Sequence, residues 1–383
     1  MDKKFVMGIA AMAALTLVSC SSDDLDSVSG NSSKNEAISF DSYLGRSAVA
    51  VNGSRGSELN NTTLQSKGFG VFGNYSTETT TAYGNNLFDN QPVTYDKAKS
   101  KWTYSPLKFW PSDGHIDFLA YAPYEVGKKL ENTTIFGFTV DEDIAKQKDL
   151  VWSNATGKIT ANVTSPKEKV KFKFKHALSR LGYTVKLSGN CSSNNVTFTL
   201  KDITLAGSAD GNTPAFYKTG TINLATQITP TVTDPWTSKD NTTKLKFNWF
   251  HGNYNIPEPK AGTTEPSSYH PNKDDKGNRD QNEDYLFVIP QNFLDADGNG
   301  DKLYVIVEYD ITYNNDPKTT ITNKVYKQIK QDFKRGTAYK LNLTLGLPIE
   351  FDVTAGVDAG VEGWGDEENI NIGSNDKNPW DRE

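Results

Sequence analysis

The sequence predicts an all-β protein built as two tandem β-sandwich domains, and three observations carry that prediction. Apolar residues recur with period two in many short runs, the pattern of strands with one buried face. No window of 12 or more residues sustains a helical period. The gaps between the runs are crowded with Asn, Ser, Thr and many of the 30 Gly and 16 Pro, the residues of turns. At 383 residues the chain is long enough for two domains, taking roughly 100–200 residues for each. With 36% apolar and 11% aromatic residues it has the material for real cores and is not a disordered chain.

The elements follow in chain order. Lys3 and Lys4 precede an apolar run of 14 residues, Phe5 to Val18. That is too short to span a bilayer of about 30 Å, which needs about 20 residues, so residues 1–20 are expected to be a signal peptide. The run ends in Leu17-Val18-Ser19-Cys20, which resembles the lipobox of bacterial lipoproteins. The resemblance implies cleavage between Ser19 and Cys20 and a diacylglycerol thioether on Cys20. Several acyl chains anchor firmly, because each buried CH₂ contributes about 0.8 kcal/mol. The alternative is an ordinary signal peptide with a chance Cys at its end. Ser21, Ser22, Asp23, Asp24 and Asp26 form a polar, acidic tether that resembles the surface-export signal of some Gram-negative lipoproteins. With Cys20 lipidated, Cys191 has no intramolecular disulfide partner.

Ala37 to Leu44 alternates, with Ile38, Phe40 and Leu44 expected inward and Ser39, Asp41 and Tyr43 outward. Val170, Phe172, Phe174 and His176 face one way, and Lys169, Lys171, Lys173 and Lys175 the other, giving a strand with a charged outer face. The same alternation places Val196, Phe198 and Leu200 inside, then Leu303 through Ile311, then Tyr339 through Leu345. A domain boundary is expected near residue 165, with the strands before and after Pro166 in different domains. Residues 256–282, with Pro257, Pro259, Pro266 and Pro271, read as an exposed loop.

The formal net charge of −6 speaks against a nucleic-acid partner, which would leave a basic footprint. Four His and two Cys are too few for a multi-ligand His/Cys metal centre, and no cofactor is expected. Gly68-Phe69-Gly70-Val71-Phe72-Gly73 matches a dinucleotide fingerprint, but the residues after it favour a turn over the required helix. These glycines are expected to mark a bulged strand instead. Asp295, Asp297, Asn299 and Asp301 resemble the start of a calcium loop. The twelfth position, however, is Ile306 and not a bidentate Glu, and an Asp/Gly-rich turn explains the same letters. His115 with Asp117, and His176 on its apolar face, are weighed as catalytic groups and read as hydrogen-bonded structural residues. No reactive pair emerges, and the chain is not expected to be an enzyme. Trp102, Tyr104, Phe109, Trp110, Phe118, Tyr121 and Tyr124 form an aromatic cluster that suits either a sandwich core or a platform for sugars.

Several segments together resemble the FimA/Mfa-like fimbrillins, the subunits of type V pili. They are Trp102 to Pro111 with Phe118 to Pro123, Phe172 to Leu181, Leu286 to Gln291, Phe333 with Gly336 and Tyr339, and Gly363-Trp364-Gly365-Asp366. The resemblance implies transthyretin-like, Greek-key sandwiches and an assembly role without catalysis. It also implies a route: export as an outer-membrane lipoprotein, then an arginine-specific cut that removes a first strand. A strand from another subunit fills the vacated groove in a surface fimbrium that supports adhesion. On that reading residues 21–46 are a propeptide, with 47–165 and 166–383 the two domains. Arg46-Ser47 is the first choice for the cut and Arg55 the alternative. Ile38, Phe40 and Leu44 belong to the removable strand. The partners would be further copies of the subunit, tip and anchor proteins, and host or bacterial surface ligands. A stalk pilin is the leading role. A tip, accessory or anchor subunit is second, because the tail beyond Trp364 offers only Ile370 and Ile372 as an alternating apolar pair. A surface lipoprotein that binds glycans through its aromatics is the rival from another class.

Overall fold

The computed structural model describes residues 37–44, 54–55, 58–78, 83–159, 169–188, 195–258, 283–295, 298–347 and 350–357. The first half of the chain supplies β1 (Phe40–Leu44), β2 (Ser54–Arg55), α1 (Asn61–Lys67), β3 (Phe69–Ser76), β4 (Phe88–Asp96) and β5 (Lys101–Thr103). It continues with β6 (His115–Ala122), β7 (Ile135–Thr139), β8 (Val151–Ile159) and β9 (Val170–His176). Seven of these form one sheet in the order β1-β9-β8-β6-β3-β4-β5. One face of it, with Phe40, Phe69, Val71, Phe118, Val151 and Phe172, encloses the first core. The strands alternate as period two requires, so Phe72, Leu119, Tyr121 and Trp152 leave through the opposite face. There they join the second core, and one sheet serves both.

The second half supplies β10 (Ser179–Leu187), β11 (Val196–Ala206), β12 (Phe216–Tyr217), β13 (Thr219–Asn223), β14 (Trp236–Lys239), β15 (Lys244–Leu245) and β16 (Phe247–Asn255). After these come β17 (Glu283–Asp284), β18 (Leu286–Val288), β19 (Gln291–Asn292), β20 (Tyr304–Tyr313) and β21 (Thr319–Gln328). The last are β22 (Asp332–Phe333), β23 (Ala338–Gly346) and β24 (Glu350–Val357). Two four-stranded sheets, β18-β10-β23-β24 and β16-β11-β20-β21, contribute inward side chains to one cluster. Tyr183 of β10 meets Trp249 of β16 across it at 4.7 Å. The halves interlock: β7 hydrogen bonds to β13, and the Trp236 indole donates to the Ala177 carbonyl at 2.8 Å.

The alternation predicted for residues 169–176, 196–200, 303–311 and 339–345 matches the buried faces. The strand after Pro166 is a correction. It was expected across a boundary from its predecessor, but β9 pairs antiparallel with β8, Val151 opposite His176 and Trp152 opposite Lys175. The change of sheet comes after His176. The physical reason is that alternation reports which face is buried and carries no information about the core that buries it.

The helix α1 is a second departure from the sequence reading. Seven residues are too few for a periodic signal. It is held by its caps: the Asn60 side chain accepts from the Thr63 amide while the Thr63 hydroxyl accepts from the Asn60 amide. The helix ends where the glycine motif begins, the reverse of a dinucleotide site. A Cβ on Gly68, at φ +68°, would lie 2.7 Å from the Val93 carbonyl oxygen. At Gly73 it would lie 2.5 Å from the Phe88 ring, beside the register shift in the β3–β4 ladder. These glycines serve close packing at a bulged strand.

Candidate functional site

β1 lies at one end of the seven-stranded sheet and pairs parallel with β9, from Phe40 opposite Val170 to Leu44 opposite Phe174. Its inward residues are those the alternation selects: Ile38, Phe40 and Leu44 are 1%, 3% and 1% exposed, against 46% for Tyr43. The Phe40 ring is a plug. It meets Phe88, Tyr104, Phe118 and Phe172 at centroid distances of 5.6, 5.3, 5.7 and 5.7 Å. Three buried apolar side chains at about 1.5–3 kcal/mol each hold the strand by about 4–9 kcal/mol.

The other edge of β1 has no strand ladder among the described residues. Single contacts satisfy it instead. The Ile38 amide donates to the Lys108 carbonyl at 2.8 Å, and the Tyr104 hydroxyl donates to the Ile38 carbonyl at 2.7 Å. The Leu44 amide donates to Asn61 Oδ1 at 3.0 Å. Burial pushes the Tyr104 hydroxyl up to about 12, only partly offset by its hydrogen bond to the Lys108 backbone, so it stays a donor at neutral pH. Between these contacts a polar cavity of 130 Å³ opens along β1, lined by Ser42, Asn61, Gln65, Tyr95 and Lys101 among others.

Chain downstream of β1 is tied elsewhere. β2 pairs parallel with β17. Glu58 accepts from Arg180 at 2.9 Å, and the Arg180 guanidinium lies 3.6 Å from the Tyr285 ring centroid. The Leu59 amide donates to Asp149 Oδ2 at 3.0 Å, and the same oxygen lies 2.8 Å from His176 Nδ1. Both side chains of that His–Asp pair are fully buried. Their arrangement secures residue 59 through its backbone and presents no reacting atom to solvent. His115 Nε2 lies 3.2 Å from Asp117 Oδ2 on β6.

Ser19, Cys20, Arg46, Ser47 and Asp297 lie outside the described residues, as do Cys191 and the tail from 358. Arg55 is described through its backbone, in β2. Ile38, Phe40 and Leu44 are brought together. The candidate calcium stretch is a turn in its described part: the Gly300 amide donates to Asp295 Oδ1 at 2.8 Å. Asp301 accepts from Gln291 at 2.6 Å and from Lys244. Among the described residues no group of three or more His, Cys, Asp or Glu is placed to hold a metal ion. Of the aromatic cluster, Phe118 and Tyr121 are buried, and Trp102, Tyr104 and Trp110 pack on the first core, while Phe109 is 49% exposed. Phe351 and Val353 belong to the sandwich, in the edge strand β24. Sequence reasoning missed the contacts made by Tyr104, Asn61, Asp149 and Arg180, since none lies in an alternating pattern with its partner. The Asn60-x-x-Thr63 capping spacing was the one local signal for the α1 contact.

The fold and the plugged edge define an all-β sandwich protein whose first strand is a terminal member of its sheet. A fimbrial protein of known crystal structure from Bacteroides vulgatus shares this fold, with a TM-score of 0.58 over 85% of this chain and 99% of that one, at 21% identity. The fimbrium subunit Fim1C of Phocaeicola vulgatus is 27% identical over 95% of this chain and 97% of its own length. Residues 57–364 match the fimbrillin-like family, and the chain belongs to that family.

Proposed function

We propose that this chain is a structural, non-enzymatic subunit of a cell-surface fimbrium, with β1 as a temporary strand that holds the place of one from a neighbouring subunit. The observation that carries this reading is the separability of β1. Its three apolar side chains fill the first core, while the chain from β2 onward is tied down by β17, Arg180 and Asp149. A cut after Arg46 frees β1 without loosening these anchors, whereas a cut after Arg55 would leave β2 on the departing piece. Removal of β1 exposes the Phe40 site and the free edge of β9. An extended strand regains both the burial and the main-chain hydrogen bonds, which is strand addition to an open edge.

The precursor is a lipoprotein, acylated at Cys20 after cleavage from Ser19 and delivered to the outer membrane. The mature subunit is a stalk pilin, and the incoming strand comes from the C-terminal region of the next subunit. Support for these finer assignments comes from the lipobox, from Arg46 just beyond β1, and from the family of the chain. The kinship with a fimbrium subunit places the other subunits of the same fimbrium among its partners.

The test is the N-terminus of protein sheared from the cell surface, read by intact mass and sequencing. A start at Ser47, with detergent-resistant ladders in unboiled gels, is the expected result. A start at acylated Cys20 with no shorter species refutes the stalk assignment.

A further inference from the structure

We propose that Leu107 and Phe109, in the loop beside the start of β1, are the surface on which the body of the next copy of this chain docks. The assignment rests on strand addition at the β1 site and names the contact that comes with it. Leu107 and Phe109 are 46% and 49% exposed, two residues apart, with the partly buried Tyr104 and Trp110 on either side. Among the described residues the other large exposed apolar side chains, such as Val126, Val232 and Ile321, stand singly. Single ones are ordinary on a surface, whereas neighbours beside a binding site mark a contact. The loop meets β1 at its Ile38 end: Phe109 forms an antiparallel bridge to Ala37, and the Lys108 carbonyl accepts from the Ile38 amide at 2.8 Å. A cut after Arg46 therefore takes Ala37 and Ile38 from beside this loop.

The direction of the incoming strand decides which end of the groove its subunit occupies. The Lys108 carbonyl and the Tyr104 hydroxyl meet the amide and the carbonyl of Ile38, and Asn61 Oδ1 meets the Leu44 amide. A strand that keeps the direction of β1 satisfies the same groups, whereas reversal exchanges amides and carbonyls along the edge. The chain also repeats the local sequence of β1 in that direction. Ile38-Ser39-Phe40-Asp41 recurs as Ile349-Glu350-Phe351-Asp352, with Ala355 in the place of Leu44. Those residues lead into and form β24, an edge strand paired with β23 alone among the described residues.

Almost the whole subunit precedes β24 in the chain. A second copy that lends this strand in the direction of β1 leaves its body beyond the Ile38 end, against Leu107 and Phe109. On the same alignment Leu347 takes the place of Glu36, so the arriving copy brings an apolar residue where the departing segment had an acidic one. The opposite end of the sheet supplies the control. The registers set Ala122 opposite Val151, Val151 opposite His176, and Leu44 opposite Phe174. Val126, just beyond Ala122 and 88% exposed, thus stands at the Leu44 end.

The test starts from the full precursor cut by an arginine-specific protease, with a synthetic peptide of residues 349–357 that stops short of the loop. Peptide uptake reads strand addition alone, and ladders in unboiled gels read the joining of whole subunits. L107S/F109S is expected to bind the peptide within about threefold of the unsubstituted protein and to need at least about tenfold more protein for half-maximal laddering. V126S is expected to change neither. p-Benzoylphenylalanine in place of Phe109 should photo-cross-link a second subunit, and in place of Val126 it should not. Unchanged laddering by L107S/F109S, or cross-linking from position 126 in place of 109, overturns this surface while strand addition stands. Loss of peptide uptake in L107S/F109S also overturns it, since the loop would then shape the groove and not receive a subunit. If the unsubstituted cut protein takes up no peptide and forms no ladders, strand addition fails and this surface fails with it.

Discussion

Phe40→Ala in the uncut precursor tests the plug most directly. The ring is 3% exposed and is bounded by four aromatic rings at 5.3–5.7 Å, so its removal opens a cavity whose walls cannot collapse without moving β4, β6 and β9. Buried Phe→Ala replacements cost about 3–5 kcal/mol, and a site walled by rigid rings belongs in the upper part of that range. The assay is amide hydrogen exchange through a urea series, read at the Val170 amide, which donates to the Ser39 carbonyl at 2.8 Å. Protection there reports the opening of β1 and the first core without requiring the whole chain to unfold as one unit. Tyr43→Ala is the control, since Tyr43 is 46% exposed and such surface changes stay within about 0.5 kcal/mol. A Phe40→Ala loss below 1 kcal/mol, or one no larger than that of Tyr43→Ala, would refute the claim that β1 completes this core.

Other consequences are open to measurement. Arg46→Ala is expected to leave the precursor uncut by an arginine-specific protease and β1 in place, with Arg55→Ala without effect; intact mass distinguishes them. Tyr104→Phe removes the hydroxyl that satisfies the Ile38 carbonyl and should cost about 0.5–1.5 kcal/mol at the Val170 amide, with no change at the Leu343 amide in the second core. Burial pushes Tyr83, Tyr104 and Tyr309 up to about 12. Their folded values lie above the unfolded one, so this contribution to stability is complete below about pH 10 and is lost as pH rises through 12. Ultraviolet titration should show these hydroxyls ionising late, with one fewer in Tyr104→Phe. Asp149→Ala should cost about 3–5 kcal/mol, because it strands buried His176 and the Leu59 amide together, and exchange at Leu59 should rise most.

Much of this protein was legible in its residues. Ile38, Phe40 and Leu44 were read as inward-facing from alternation alone, and so were Phe172, Phe174, Val307 and Leu343. Period two states which side chains face apolar surroundings, and that is a local property of each strand. The partner of a strand is not local. Nothing between residues 37 and 44 indicates that β1 pairs parallel with β9, some 130 residues later, or that β9 belongs beside β8. Pairing is decided by which edges remain free once the chain collapses.

The same division holds for the polar residues. The lysines of β9 read correctly as an outer face, but only tertiary structure sets residues 226–228 against them to make a groove. Tyr104 could be counted among the aromatics, yet its hydroxyl acquires a role only because the fold delivers the Ile38 carbonyl to it across 66 residues of sequence. Burial pattern and family resemblance were therefore set by the order of residues. The strand partners, the contacts along β1 and the anchors at Asp149 and Arg180 were decided by three-dimensional closure, because each joins groups whose proximity exists only in the folded chain.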